Sequence, residues 1–256
     1  RLQDAAQPAR AVAQGQLELA VAGLAAAGGE AAGVVAASGG NHALAVSWAA
    51  RAAGVDALIC MPRATDPSSI AGCEALGATV TLHDDMAAAF AAMMAEDVDV
   101  FTGFPAPENL PQFEADARFQ VLVGSTEGET ILAMNNKTPP FDNALVRQAV
   151  SHAIDRQAII DGAMFGYGTP IGTHFAPHNP AYVDLTSTSA YDPEEAKSLL
   201  EDAGMADGFE TTLYLPPPSY ARRGGEIIAA QLAEVGITAE IINVEWAQWL
   251  EQVFKG

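Results

Sequence analysis

The sequence predicts an α/β protein, with a parallel βαβαβα segment over residues 1–95 joined to a mixed α/β region over residues 96–256. Three observations carry that expectation. Before Glu96, short apolar runs alternate with alanine-rich stretches, which is the order of a parallel sheet covered by helices. After Glu96, amphipathic stretches with strong helix-start signals alternate with loops and short strand-like runs. The third observation is the change of composition at the junction. Residues 1–95 hold 31 alanines, two aromatics (Trp48 and Phe90), three prolines and no lysine; residues 96–256 hold the other 16 aromatics, the other 12 prolines and all three lysines. The first part carries 4 Arg against 8 acids, net −4, and the second 8 Lys or Arg against 24 acids, net −16.

In the first part, Gly33–Ala37 is a short apolar run followed by Ser38-Gly39-Gly40-Asn41. Ala43, Val46, Trp48–Ala50 and Ala53 then mark a helix stopped by Gly54. Ala57–Met61 is a second buried strand, closed by Pro62. Pro67–Leu76 reads as a helix with Gly77 after its end, and Ala78–Leu82 as a third strand. Asp84 and Asp85 open an alanine-rich helix to about Ala95, at the end where acids complement the helix dipole.

Ser38-Gly39-Gly40-Asn41-His42 occupies the first strand-to-helix turn. Glycine lets backbone approach a ligand closely, and free N–H groups at a helix start favour phosphate or carboxylate. Ser38, Asn41 and His42 supply side-chain polar groups. An ordinary glycine-rich turn with Ser38 as the helix cap explains the same residues.

Val34–Ala43, Ala49–Val55, Met61-Pro62 and Ala75–Ala78 resemble the threonine/serine dehydratases, fold-type II pyridoxal-phosphate enzymes, over roughly Gly15–Ala95. The resemblance implies that Ser38 to His42 is the turn that binds the substrate carboxylate, with Asn41 beside the cofactor ring. The chain departs from that family where its Schiff-base lysine would stand, near Gln16–Ala20. The first lysine is Lys137, and the family's later glycine-rich phosphate loop is absent. Without an amine there is no internal aldimine, so no cofactor and no enzymatic activity are expected. The turn is then a vestige.

In the second part, Val98–Phe101 reads as a strand entering the loop Thr102–Pro107. Phe119–Val123 and Thr130–Met134 read as further strands. Asp142 or Asn143 caps a helix whose apolar face holds Leu145, Val146, Ala149, Val150, Ala153 and Ile154, and whose other face holds Arg147, Gln148, His152 and Arg156. Asp192-Pro193-Glu194-Glu195 is a helix start ended by Gly204. Pro216-Pro217-Pro218 reads as an extended linker, Glu226–Val235 as a helix and Ile237–Val244 as a strand. Trp246 and Trp249 read as one packed helix face. His152 reads as a surface residue. His174 and His178 lie in a proline-rich loop.

The order Val98–Phe101, Leu132–Asn136, Pro139–Asp142, Val146–Val150, Ala153–Arg156, Gly168–Pro170, Tyr191–Ala196 and Leu199-Leu200 closely resembles the family 5 extracellular solute-binding proteins, the dipeptide and oligopeptide receptors of ABC importers. The resemblance runs from about Asp97 to the end. It implies part of a two-lobed, periplasmic-binding-protein-like α/β domain, a periplasmic location, a peptide or small-molecule solute and an ABC permease as partner. Thr102, Gly103 and Phe104 match its cleft loop. Met134 and Asn135 lie in its lobe-crossing segment, with the hinge near residues 130–136. Phe104 stacks on ligand or packs under Pro105; Asn135 is a hinge residue or caps the turn before Pro139. The first lobe is mostly missing upstream of Asp97, so weak or no peptide binding by the chain alone is expected. An apparent chimera results, with an inactive, cytoplasmic dehydratase fragment as the alternative.

The remaining numbers exclude function classes. Half of the 256 residues are apolar, enough for a substantial core. A net charge of −20 excludes phosphate-backbone binding and docking on anionic lipid. The only cysteines, Cys60 and Cys73, match no zinc spacing and read as small buried hydrophobes. No metal site is expected. No signal peptide is visible, and no run approaches the ~18 apolar residues of a membrane span, so no direct membrane insertion is expected.

Overall fold

The computed structural model describes residues 33–254 except 39, 64, 84–86, 98–99, 102–103, 105 and 127, with backbone alone at 41, 87–89 and 254. The chain divides into two compact units, Arg1–Ala106 and Pro107–Gly256.

The first unit is a four-stranded parallel sheet in the order β3-β2-β1-β4, formed by β1 (Gly33–Ala37), β2 (Asp56–Pro62), β3 (Thr79–His83) and β4 (Val100–Phe101). Register pairs Val34 with Ala57 on one side and with Val100 on the other. Three helices connect the strands: α1 (Asn41–Ala53), α2 (Pro67–Ala75) and α3 (Ala87–Met94). Each boundary has a physical cause. Gly54 closes α1 at φ 74°, a left-handed conformation glycine adopts without steric cost. Asp66 caps α2 by accepting the Ser68 N–H, with Pro67 at the first helical position.

The sheet is apolar on both faces, as a parallel sheet covered by helices must be. Val34, Ala36, Ile59 and Met61 join Ala43, Val46 and Ala50 of α1 in one cluster. Val35 and Cys60 face the opposite way, against Ala92 and Met93 of α3 and Phe101. Both cysteines are buried and unbridged, and burial pushes the Cys73 thiol up from its ordinary value. The helix α3 begins at Ala87; the expected acidic start at Asp84 and Asp85 lies outside the described residues.

The second unit has α4 (Leu110–Glu114), α5 (Ala144–Ala153), α6 (Arg156–Met164), α7 (Pro193–Asp202), β5 (Phe209–Leu215), α8 (Ser219–Glu234), β6 (Ile237–Asn243) and α9 (Trp246–Trp249). β5 and β6 pair in parallel from Phe209–Ile237 to Leu215–Asn243, with α8 as the crossover. Asn143, Asp155 and Asp192 cap α5, α6 and α7 through their carboxylate or amide oxygens. Ala149, Val150 and Ala153 of α5, Ala196 and Leu200 of α7, Leu232 of α8 and Ile237 of β6 form one core.

Four expectations are corrected here. Residues 119–123 and 130–134 form no strand. Residues 131–134 do alternate, with Leu132 and Met134 packed on the core and Ile131 exposed, but no neighbouring strand supplies a ladder among the described residues. Ile154 and Arg156 do not continue α5 as expected: α5 ends at Ala153, Ile154 is extended, and Asp155 caps a separate helix, α6, that Arg156 begins. Helix α8 begins at Ser219, seven residues before Glu226, because Gly224 and Gly225 are buried packing positions rather than a break. A Cβ at Gly224 would touch Ile159 at 3.5 Å, and one at Gly225 would overlap the Leu215 methyls. Trp246 is 52% exposed, so Trp246 and Trp249 do not form one packed face.

Candidate functional site

The strand order sets the carboxyl ends of β1 and β4 side by side. The chain runs β1, β2, β3 outward on one side and then returns to β4 on the other side of β1. This reversal is the topological switch point of an open parallel sheet, where the carboxyl ends of adjacent strands leave a crevice. Ser38 to His42 follow the carboxyl end of β1, and Thr102 to Phe104 follow that of β4.

At the first segment, Ser38 N–H donates to the Cys60 carbonyl at 3.1 Å, which extends the ladder by one residue. Ser38 Oγ accepts the Gly40 N–H at 3.4 Å, so it closes a local turn rather than capping the helix. Gly40 is the residue before α1 and offers no side-chain cap. His42 is half-buried in the first turn of α1. Gly39 and the Asn41 side chain lie outside the described residues.

At the second, Thr102 and Gly103 also lie outside the described residues. Phe104 meets the edge of the Phe101 ring at 4.9 Å between centroids and lies 6.4 Å from Phe90. It therefore packs with aromatic residues of β4 and α3.

The second unit holds a cavity of about 440 Å³ that Met134 borders. Its wall on α5 is Ala144, Arg147, Gln148, Ser151 and His152. These positions are spaced i, i+3, i+4, i+7 and i+8, one stripe of a helix. They lie opposite Val146, Ala149, Val150 and Ala153, which the core buries. Glu195 and Leu199, one turn apart on α7, form a second wall. Thr188 and Ser189, in the 3₁₀ turn Thr186–Ser189, form a third. Asn135 is exposed and accepts the Lys137 N–H at 3.1 Å, so it caps the turn at residues 135–138.

The third wall is pinned from α5 and α6. His152 Nδ1 lies 2.8 Å from the Ala190 carbonyl. A carbonyl only accepts, so Nδ1 carries the proton and Nε2 of the neutral ring is left as an acceptor. Arg156 donates to the Ser189 carbonyl at 2.8 Å, and the Asp192 N–H donates to the His152 carbonyl at 2.8 Å. Arg147 donates through one nitrogen to the carbonyls of Phe141 at 2.7 Å and Asp142 at 3.2 Å. These bonds hold the charged lining without consuming all five guanidinium protons.

His152 thus differs from its expectation as a plain surface residue. The polar stripe of α5 was visible in the sequence, but Glu195, Thr188 and Ser189 were not associated with it, because only tertiary packing brings α7 and the 3₁₀ turn alongside. His174 is 73% exposed beside Glu129 at 3.2 Å. Among the described residues no group of three or more His, Cys, Asp or Glu converges to hold a metal ion, and no helix is long and apolar enough to cross a membrane.

Comparisons with known proteins match both parts. The family model of bacterial extracellular solute-binding proteins, family 5 Middle, matches residues 78–256. The model of pyridoxal-phosphate dependent enzymes matches residues 4–150. The heme-binding protein A of Haemophilus influenzae is 31% identical over 69% of this chain and 33% of its own length. The dipeptide-binding protein of Escherichia coli is 31% identical over 60% of this chain and 30% of its own. Among solved structures, the periplasmic binding protein DppA of Helicobacter pylori in complex with the peptide STSA is similar at TM-score 0.57 and 26% identity, over 68% of this chain and 34% of that one. HbpA2 of Haemophilus parasuis is similar at TM-score 0.51 and 30% identity, over 70% and 36%. The chain spans about a third of the length of the curated relatives it matches.

Proposed function

The chain belongs over residues 78–256 to the bacterial extracellular solute-binding proteins of family 5 and over residues 4–150 to the pyridoxal-phosphate dependent enzymes, and from that premise we propose that it acts as part of the substrate-binding component of an ABC importer. The solute is a peptide or a related small molecule, the location periplasmic and the partner a membrane permease. The single observation that carries this reading is the family 5 match across the whole second unit, from α4 to α9. The names of the relatives, which include dipeptide-, glutathione- and heme-binding proteins, support the solute class.

In this reading Thr102, Gly103 and Phe104, after β4, and Met134 and Asn135, on the extended segment, contact or gate the solute, with residues 130–136 as the hinge. The chain is no enzyme. A pyridoxal-phosphate cofactor needs an amine for its internal aldimine, and the first unit, which ends at Ala106, has none: the lysines are Lys137, Lys197 and Lys255. The residues present do not suit that cofactor. The Ser38–His42 turn offers hydroxyl, amide and imidazole groups but no amine.

Thermal unfolding of the chain with di- to pentapeptides or glutathione tests the proposal. A saturable rise in Tm is expected at millimolar solute, since a ligand at ten times its Kd stabilises by about 1.4 kcal/mol. Asn135→Ala, at an exposed position, should reduce the rise. No stabilisation by any peptide would overturn binding by this chain alone, and saturation at micromolar solute would overturn the expectation that the missing lobe leaves that binding weak. Formation of pyruvate or 2-oxobutyrate from serine or threonine with pyridoxal phosphate would overturn the non-enzymatic one.

A further inference from the structure

We infer that the solvent-open groove between α5, α7 and the 186–190 turn is a binding site for a free amino acid with a short apolar side chain, carried entirely by the second unit and sharing only Met134 with the peptide-binding reading. Its volume of about 440 Å³ lies at the lower end of the range of small-molecule pockets, roughly 300–1,000 Å³. That holds an amino acid and a few waters.

The chemistry of the lining selects the class. Arg147 of α5 and Glu195 of α7, of opposite charge, both line this groove. An anion alone would be attracted to Arg147 but repelled by Glu195 and by a chain of net charge −20. A cation alone would meet Arg147. A zwitterion satisfies both charges, its carboxylate paired with the guanidinium and its ammonium with the carboxylate of Glu195. His152 Nε2, left an acceptor because Nδ1 donates to Ala190, adds a second partner for the ammonium. Gln148, Ser151 and Thr188 supply uncharged donors and acceptors, while Met134 and Leu199 offer apolar contact to a small side chain.

The cavity is also held in shape. The 3₁₀ turn that forms one wall is fixed by the Arg156–Ser189 and His152–Ala190 bonds. Arg147 is fixed by two main-chain carbonyls. A preformed lining lowers the ordering cost of binding.

Calorimetric titration of the 256-residue chain with L-valine, N-acetyl-L-valine and L-valinamide tests the assignment. Valine is expected to bind with a Kd below 1 mM, and each derivative, lacking one charge, at least tenfold more weakly. Glu195→Gln, at an exposed and nearly isosteric position, should weaken valine at least tenfold while leaving circular dichroism and Tm within error. It should not weaken N-acetylvaline, an anion that is relieved of the repulsion from Glu195. Nitrogen-15 NMR of the wild type should shift the Gln148 side-chain amide on addition of valine. No heat and no shift at 10 mM valine with a folded chain would overturn the proposal. So would equal binding of valine and N-acetylvaline, or an E195Q variant that binds valine as tightly as the wild type.

Discussion

Arg223 shows how one residue ties distant parts of the second unit together. Its guanidinium donates to Glu108 Oε1 at 2.9 Å across 115 positions of sequence and lies 5.2 Å from the centre of the Phe165 ring. The hydrogen bond from Arg223 holds the Glu108 carboxyl below the ordinary glutamate range. Only one oxygen and one nitrogen are used: Glu108 Oε2 and Arg223 Nη1 are buried without a hydrogen-bond partner among the described residues. With side chains 27% and 39% exposed, solvent screens the pair, so its worth is about 0.5–1 kcal/mol. A depressed carboxylate pKa stabilises the fold above the unfolded-state value, ordinarily ~4.3 for glutamate, and that stability is lost as pH falls through the folded value. Glu108→Gln should therefore lower stability by about 0.5–1 kcal/mol at pH 7. The difference from wild type should shrink steadily below about pH 4.5. Urea titrations at several pH values read it directly, and a gap that widens on acidification would contradict the pairing.

At the scale of elements, the β5–α8–β6 unit depends on a close approach between two turns. Gly208 precedes β5 at φ 74°, and Gly236 precedes β6 at φ 87°. A Cβ at Gly208 would overlap the Gly236 carbonyl, a backbone atom that cannot step aside. The left-handed conformation itself costs a non-glycine residue about 1–2 kcal/mol. Gly208→Ala should cost about 3 kcal/mol or more in urea unfolding. Gly204→Ala, also at positive φ but with open space around its Cβ, should cost only the conformational part. Equal effects of the two variants would show that the contact with Gly236 is not decisive.

The same elements show what a sequence discloses. Caps are local chemistry, so Asn143 and Asp192 and the stops at Gly54 and Gly204 were legible. The length of α8 was not: a helix was expected only from Glu226, and it takes the packing of Gly224 on Ile159 and Gly225 on Leu215 to show why the helix runs through both glycines. Period-two burial of Leu132 and Met134 was legible as extended chain, but pairing depends on a neighbour that no local pattern specifies. The candidate cavity divides likewise: the stripe 144, 147, 148, 151, 152 is in the helix repeat, whereas Glu195 and Ser189 arrive by packing.

At the scale of the molecule, the junction in composition and the junction in structure fall at different places. Alanine-rich sequence gives way near Glu96, yet the compact units divide after Ala106. Between the two lies β4, whose sequence resembles the solute-binding part but whose ladder partner is β1. Val100 is 6% exposed and belongs to the same apolar cluster as Val34, Ile59 and Met61. The two family matches overlap across this strand, over residues 78–150. A short parallel strand demands only backbone hydrogen bonds and an apolar pair of faces, so a β4 of either ancestry can close the sheet. If it does, a charge at Val100 must destabilise the first unit, because burying an unpaired carboxylate costs about 3 kcal/mol or more. Trp48 is the only tryptophan of that unit, and Trp246 and Trp249 lie in the other. In a Trp246→Phe/Trp249→Phe background, Trp48 fluorescence should report a urea midpoint lowered by Val100→Asp. Proteolysis or circular dichroism at intermediate urea should still find α5 to α8 folded. A midpoint unchanged by the substitution would place β4, and the structural boundary, with the second unit.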